Sequence, residues 1–339
     1  MSSLFDRDRS AERLPVSLIT GFLGSGKTTL LNRLLRRPDM ADSAVIINEF
    51  GEVPIDHLLV EPISGEAVVL SSGCICCAVR GDLQDALRRL LVQRDRGEVP
   101  RFSRVLIETS GLADPAPVVQ LFLNNPLLGH DLRLDTVVTM VDGAGGLGQL
   151  QHYPECLKQA AIADRLLVTK TDITAAAEVD ALVETLRSIN PGAVIEAVIS
   201  GEIDPARLFG AGLFEQRRPA QWLDGRAYAD AQALDHDHRH AQEISTFSLV
   251  ARQPLDWIAF HRWLGDLRAS HGDRLLRVKG LLNVADEGGP VVIHGVQHIF
   301  HPPVALDRWP DHDRTSRLVM IVRGLDREEI EAGWLSLSA

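Results

Sequence analysis

Residues 21–28 read Gly-Phe-Leu-Gly-Ser-Gly-Lys-Thr, and few octapeptides constrain a fold more tightly. The spacing G-x-x-x-x-G-K-[ST] works only between a strand and a helix, where glycines let successive backbone N–H groups turn inward around a phosphate. The apolar run 14–20 supplies the strand and the residues after 27 supply the helix. Gly21, Gly24 and Gly26 form the turn, Ser25 and Thr29 complete the nucleotide-binding set, and the helix N-terminus adds its positive end. Lys27 is expected to reach the β- and γ-phosphate oxygens, and the Thr28 hydroxyl to ligate Mg²⁺. Both are therefore candidate catalytic residues.

Further Val-, Ile- and Leu-rich runs at 44–47, 67–70, 105–107, 136–141, 165–168 and 194–199 predict more strands. Helical patterns at 82–93, with Asp82 as a cap, and at 175–189 lie between them. Near-continuous apolar strands alternating with helices predict an α/β domain with a mostly parallel sheet covered on both faces. With 339 residues the chain has room for about two domains. The first is expected over 1–205, and a linker without periodicity over 206–243. A smaller α+β domain is expected over 244–339, with strands near 244–250, 275–283, 291–300 and 318–322 and helices near 255–269 and 327–334. Asp286-Glu287-Gly288-Gly289 reads as the hairpin turn between two of its strands.

Two further motifs sit at strand ends. In Glu108-Thr109-Ser110-Gly111 an acid closes the strand, placed to hold the Mg²⁺ water shell, and Gly111 offers its N–H to the γ-phosphate. Glu108 joins Lys27 and Thr28 as a candidate catalytic residue. Thr169-Lys170-Thr171-Asp172 fits [NT]-K-x-D. An Asp172 carboxylate accepts from guanine N1–H and the 2-amino group, donors that adenine does not present, so the expected nucleotide is GTP. Lys170 packs its stem over the base, and Ile199-Ser200-Gly201 is expected to add backbone contacts.

Of four cysteines, Cys74, Cys76 and Cys77 fall within four residues and Cys156 stands alone. Such a cluster is a poor disulfide framework and a good metal-ligand set, whereas Cys156 reads as a small buried hydrophobe. Thiolates ahead of a helix N-terminus have a lowered pKa, which favours metal capture. In an extended segment Cys74 and Cys76 share one face and Cys77 the other, so all three reach one ion only if the backbone bends there. Tetrahedral Zn²⁺ takes four ligands, and Glu49, Glu52 and His57 are the nearest candidates for the rest. The alternating histidines of 236–240 read equally as a weak metal-gathering strip or a solvated connector, and His294, His298 and His301 as core or interface residues on one strand.

Gly21–Asn32, Asn48-Glu49-Phe50-Gly51-Glu52, Gly73-Cys74-Ile75-Cys76-Cys77, residues 108–115 and Thr169–Asp172 together resemble the CobW family of P-loop GTPases, and the resemblance continues into 274–282 and 292–298. It implies a GTPase that binds Zn²⁺, with Co²⁺ as the alternative, at the C-x-C-C cysteines and delivers it to a client metalloprotein. In the resemblance Glu108 stands where other GTPases carry Asp. Some relatives carry a polar residue at the position of Ile47, so a metal site using that position is absent here. A rival reading is a metal buffer or sensor in which GTP is only a ligand. A small-molecule kinase is disfavoured by the guanine motif. The net charge of −11 argues against gripping nucleic acid through the general surface. No apolar run approaches the roughly 18 residues of a membrane span, and the polar start of the chain carries no export signal, so a cytoplasmic protein is expected, with homo-oligomerisation left open.

Overall fold

The computed structural model describes residues 6–7, 13–48, 68–72, 80–210, 244–309 and 312–337. Two compact units emerge: one takes its described residues from Glu12–Thr185 and Ala193–Gly212, the other from Met1–Ala11, Leu186–Gly192 and Leu213–Ala339. Cys74, Cys76, Cys77, Glu49, Glu52, His57 and the histidines of 236–240 lie outside the described residues.

Strand β1 (Asp6–Arg7) belongs to the second unit. The first unit is built on β2 (Leu14–Gly21), β3 (Ser43–Asn48), β4 (Val68–Ser72), β5 (Arg104–Thr109), β6 (Leu132–Asp142), β7 (Arg165–Thr169) and β8 (Val194–Val198). These seven strands form one sheet in the order β4-β3-β5-β2-β6-β7-β8. Every neighbouring pair is parallel, which confirms the α/β expectation. The chain leaves β2 for β3 on one side of the sheet, and later strands extend the other side beyond β6. The carboxyl end of β2 is thus the switch point where open α/β sheets bind their ligands.

Helix α1 (Lys27–Leu35) follows β2 directly. Nine residues are too few to hold a helix in water by propensity. Leu30, Leu31, Leu34 and Leu35 supply what is missing, because they bury fully against Ile19, Val45, Leu106 and Met140 of the sheet. Each such side chain contributes roughly 1.5–3 kcal/mol. The remaining helices are α2 (Arg80–Asp95), α3 (Ala116–Asn124), α4 (Pro126–Asp131), α5 (Gly146–His152), α6 (Pro154–Ile162), α7 (Ala176–Ile189), whose residues from Leu186 onward group with the second unit, and α8 (Pro205–Leu208). Helix α6 packs against β2 and β6. Helix α2 starts two residues ahead of the expected Asp82 cap. No helix among the described residues is long and apolar enough to cross a membrane.

The second unit contains β9 (Ile244–Ala251), α9 (Trp257–His271), β10 (Leu275–Leu282), β11 (Val291–Val296), β12 (Ile299–Phe300), β13 (Val304–Ala305), β14 (Ser316–Arg323) and α10 (Arg327–Leu335). Its sheet runs β1-β13-β11-β10-β14-β9, with β12 folded onto β11. Pairing is antiparallel except between β1 and β13, giving the α+β domain foreseen. Asp256 caps α9 by accepting from Ala259 N at 2.7 Å. Phe260, Leu264 and Trp334 of the two helices complete a core with Phe247, Val278, Ile293 and Met320 of the sheet.

The expected single strand 291–300 is broken. Gln297 takes φ +56°, the chain reverses, and the His301 N–H donates to His294 O at 2.9 Å. The three histidines therefore do not line one strand: His294 is buried, while His298 is half exposed beside Asp273 at 3.4 Å.

Gly280 is required by contact rather than by backbone angle. A Cβ there would lie 2.6 Å from both Arg317 O and Leu318 Cδ1 in the middle of the sheet. Gly280→Ala should therefore cost about 1–3 kcal/mol through overpacking. A urea titration followed by tryptophan fluorescence measures it, because Trp257, Trp263, Trp309 and Trp334 belong to this unit and report on it. An unchanged midpoint would contradict the packing argument.

Candidate nucleotide-binding site

The carboxyl edge of the parallel sheet collects the sequence motifs. Gly21 ends β2, Glu108 and Thr109 end β5, Asp142 ends β6 and Thr169 ends β7. Parallel strands start and stop together, so residues separated by more than 140 positions become neighbours. Thr169 Oγ1, for example, donates to Ser25 O at 2.9 Å and fastens β7 to the phosphate loop.

Within that loop Gly21, Gly24 and Gly26 have φ of +138°, +72° and +97°, a region in which L side chains are strained. A Cβ on Gly21 would also run into Met140 O and lie 2.8 Å from Ser25 Oγ, whereas Gly24 faces open space. Gly26 is the N-cap of α1 and provides no side-chain cap, and the first turn carries no acid. The helix dipole is thus left for an incoming anion. Lys27, only 8% exposed, arches back across the loop and donates from Nζ to Gly21 O at 2.9 Å and Phe22 O at 3.1 Å. Its charge is therefore held over the concave side of the turn. Ser25 Oγ is buried without a hydrogen-bond partner among the described residues, the kind of atom that a ligand satisfies.

Thr28 Oγ1 donates to Glu108 Oε1 at 3.0 Å. Glu108 is 3% exposed, and a carboxylate so deeply placed favours a nearby cation. A hydroxyl and a carboxylate side by side are hard oxygen donors, so the pair fits Mg²⁺, which takes one or two protein oxygens and keeps waters and phosphate for the rest. Thr109 Oγ1 donates to Thr20 Oγ1 at 2.8 Å and locks β5 to β2 just behind this pair. Gly111 lies against the phosphate loop, where a Cβ would come within 2.6 Å of Leu23 N.

Just after β7 Lys170 adopts φ +56° and its Nζ donates to Asp142 Oδ2 at 2.6 Å. Asp142 Oδ1 also accepts from Ala144 N at 3.0 Å. This carboxylate neutralises the lysine and pins its stem, a role that no local spacing around 142 announces. Asp172 is exposed beyond it. Ser200 and Gly201 have φ of +50° and +74°, and a Cβ on Gly201 would sit 3.0 Å from Leu30 Cα, so this loop is seated on the first turns of α1.

Sequence reasoning missed α5 and α6. Asp142, Lys158 and Gln159 all contact motif residues or the loop after Glu108. Pro154 at the first turn of α6 is the signal that would have placed that helix. Cys156 on the same helix is buried, and burial pushes its thiol up to about 12, consistent with an inert packing residue. No group of three or more His, Cys, Asp or Glu side chains fit to hold a metal occurs among the described residues.

A parallel sheet with a phosphate loop at its switch point and a Thr–Glu pair beside it defines a P-loop nucleotide-binding protein of the GTPase type. The model for the CobW/HypB/UreG nucleotide-binding domain matches residues 15–196, and the cobalamin synthesis protein cobW C-terminal domain matches 244–338. The chain belongs to the CobW/HypB/UreG family. It is 35% identical over 327 residues to the zinc chaperone YjiA of Escherichia coli, covering 96% of this chain and 98% of that one. It is 29% identical to the zinc-regulated GTPase metalloprotein activator 1 of Schizosaccharomyces pombe, with 96% and 86% covered. A crystal structure of Zn(II)-bound YjiA GTPase from E. coli superposes with a TM-score of 0.74 at 30% identity, covering 96% and 99% of the two chains.

Proposed function

We propose that the chain is a cytoplasmic GTPase that carries zinc to a client metalloprotein. The observation that carries this reading is the Thr28–Glu108 pair at 3.0 Å beneath a glycine-built phosphate loop, in a chain whose relatives are named zinc chaperones and zinc-regulated GTPases. Gly21, Gly24, Ser25, Gly26 and Thr29 cradle the phosphates, and Lys27 balances charge on the β- and γ-oxygens. Thr28 and Glu108 hold Mg²⁺, which supplies electrostatic stabilisation of the transferring phosphoryl group. Gly111 faces the γ-phosphate, and Lys170 and Asp172 read guanine. The cargo is Zn²⁺, with Co²⁺ compatible with the same thiolate chemistry. Its ligands are Cys74, Cys76 and Cys77, with Glu49 or Glu52 completing the set. Residues 1–205 carry both sites, 206–243 connect, and 244–339 meet the client.

Steady-state phosphate release with GTP and Mg²⁺, with and without Zn²⁺, tests the reading. Turnover that responds to zinc supports it. Tight binding of GTP and zinc without turnover would leave a metal buffer that uses GTP only as a ligand. Base selection has its own test. Asp172→Asn exchanges a carboxylate acceptor for an amide whose N–H₂ faces the guanine donors, so preference should move from GTP towards xanthosine triphosphate. A mispaired polar base contact is worth about 10⁴-fold in sites built on hydrogen bonds. Competition by ATP as effective as by GTP in the parent chain would refute the assignment.

A further inference from the structure

Helix α6 touches both halves of the phosphate end of the site. At its N-cap Tyr153 lies against Phe22 of the phosphate loop, with ring centroids 4.6 Å apart and the planes tilted by 37°. One turn on, Lys158 Nζ pairs with Asp114 Oδ2 at 2.8 Å, while Asp114 Oδ1 accepts from Ala116 N at 2.9 Å. Gln159 is 1% exposed, and its Nε2 donates to both Gly111 O and Ala113 O at 3.1 Å. Its own main-chain oxygen accepts from Thr139 Oγ1 of β6 at 2.8 Å. A single buried amide therefore satisfies two carbonyls of the turn that follows Glu108, and the rigid sheet holds that amide in place.

We propose that Gln159 is a positioning residue for GTP hydrolysis. Its amide clamps the Gly111–Ala113 turn against the phosphate loop and so sets the reach of the Gly111 main chain to the γ-phosphate, with Lys158–Asp114 as a second tether. Gly111 is packed too closely on Leu23 for any side chain, so the turn rests main chain to main chain on the phosphate loop and the clamp fixes it there. The inference rests on the GTPase reading above. GDP lacks the γ-phosphate and makes no demand on this turn, so the clamp acts on GTP and its hydrolysis and not on capture of the diphosphate.

Gln159→Met keeps the volume and removes both donors. Gln159→Glu keeps the shape but places a carboxyl against two carbonyl oxygens, where burial and the missing donors raise its pKa. Protonated, that carboxyl can again donate to one of them. Besides the substituted side chain, the titratable groups on the elements around the clamp are Asp114 and Lys158, paired with each other, and Tyr153, Glu155 and Cys156 at the start of α6, the last with a thiol that stays protonated. To these are added His152 at the end of α5 with Nδ1 2.7 Å from Gly148 O, Asp135 and Asp142 of β6, paired with Arg133 and Lys170, and Glu108 of β5, bonded to Thr28. For Gln159→Met, kcat should fall by about 10²-fold, the scale of a 1 Å misplacement, with affinity for GDP little changed. For Gln159→Glu the rate relative to the parent should be as low near pH 8 and climb towards about pH 6 as the carboxyl takes up its proton. A merely structural role would lower the melting temperature without this split or this pH profile. Parent-like kcat in either variant, or a flat ratio for Gln159→Glu, overturns the proposal alone. A parent chain that binds GTP but never turns it over overturns the GTPase reading and the clamp with it.

Discussion

Lys27→Ala should stop GTP hydrolysis, lowering kcat by about 10²- to 10³-fold or more, the range found when one donor to a developing oxyanion is removed. The geometry explains why no neighbour can substitute. Lys27 is the first residue of α1, and its ammonium is already held within the loop by Gly21 O and Phe22 O. Phosphoryl transfer asks little covalent chemistry of the protein and depends on positioning and charge balance, so a fixed cation over the loop is a large part of what the chain offers. Alanine also strips two main-chain carbonyls of a charged donor, a cost of about 1–3 kcal/mol. That cost must be separated from the catalytic one. Melting temperature and GDP affinity report the first, and single-turnover kinetics at saturating GTP report the second. A variant that folds, binds GDP and hydrolyses GTP at the parent rate would remove Lys27 from the mechanism.

The phosphate loop was legible in the sequence because its chemistry is local. Two glycines, a lysine and a threonine must occur at set spacing, and positive φ at Gly21 and Gly26 is what that spacing demands, while Gly24, at a free position of the pattern, takes positive φ as well. The parallel sheet was legible for a similar reason, since strands buried on both faces leave continuous apolar runs. Asp142 and Gln159 were not legible. Asp142 acts on Lys170 across 28 residues, and Gln159 acts on Gly111 across 48; an Asp after a strand or a Gln in a helix has no pattern of its own. Short helices with weak periodicity were missed together with them. For α4 the signal was present and unread: Asn125 accepts from Leu127 N and Leu128 N, and Pro126 follows at the first helical position. The split of 291–300 into two strands turns on one left-handed residue, Gln297, a type that seldom marks such a turn.

Strand register also explains why a metal site and a nucleotide site would communicate. Asn48, the last residue of β3, is the register partner of both Ser72 at the end of β4 and Thr109 at the end of β5. The chain therefore enters the segment beginning at Glu49 and the segment holding the cysteines from adjacent strand ends. Both starting points lie at the edge where Glu108 meets Thr28. A γ-phosphate that orders this edge would change the cost of gathering ligands from these two segments, as nucleotides do in switch loops.

Replacing Cys76 and Cys77 together by serine should remove tight zinc binding, at least about 10²-fold in affinity. Even partners that merely support metal ligands are worth about 10- to 100-fold, and serine hydroxyls stay protonated where thiolates form. The effect should not extend to Cys156, buried in α6 with its thiol at about 12. Cobalt substitution makes the change visible, because thiolate-to-metal charge transfer absorbs in the near ultraviolet and should vanish in the double variant. The same samples test the coupling. If the nucleotide orders the ligand segments, the parent should bind zinc more tightly with a non-hydrolysable GTP analogue than with GDP. Zinc must then tighten the analogue over GDP by the same factor, since linkage is reciprocal. A factor of about 5 to 150 corresponds to the 1–3 kcal/mol typical of coupled sites. Hydrolysis would then loosen the ion when a client is docked, which separates a carrier from a store. An intact absorption band in the double variant would dismiss the cysteine site. Equal zinc affinities in the two nucleotide states, measured by chelator competition, would dismiss the coupling and leave a buffer.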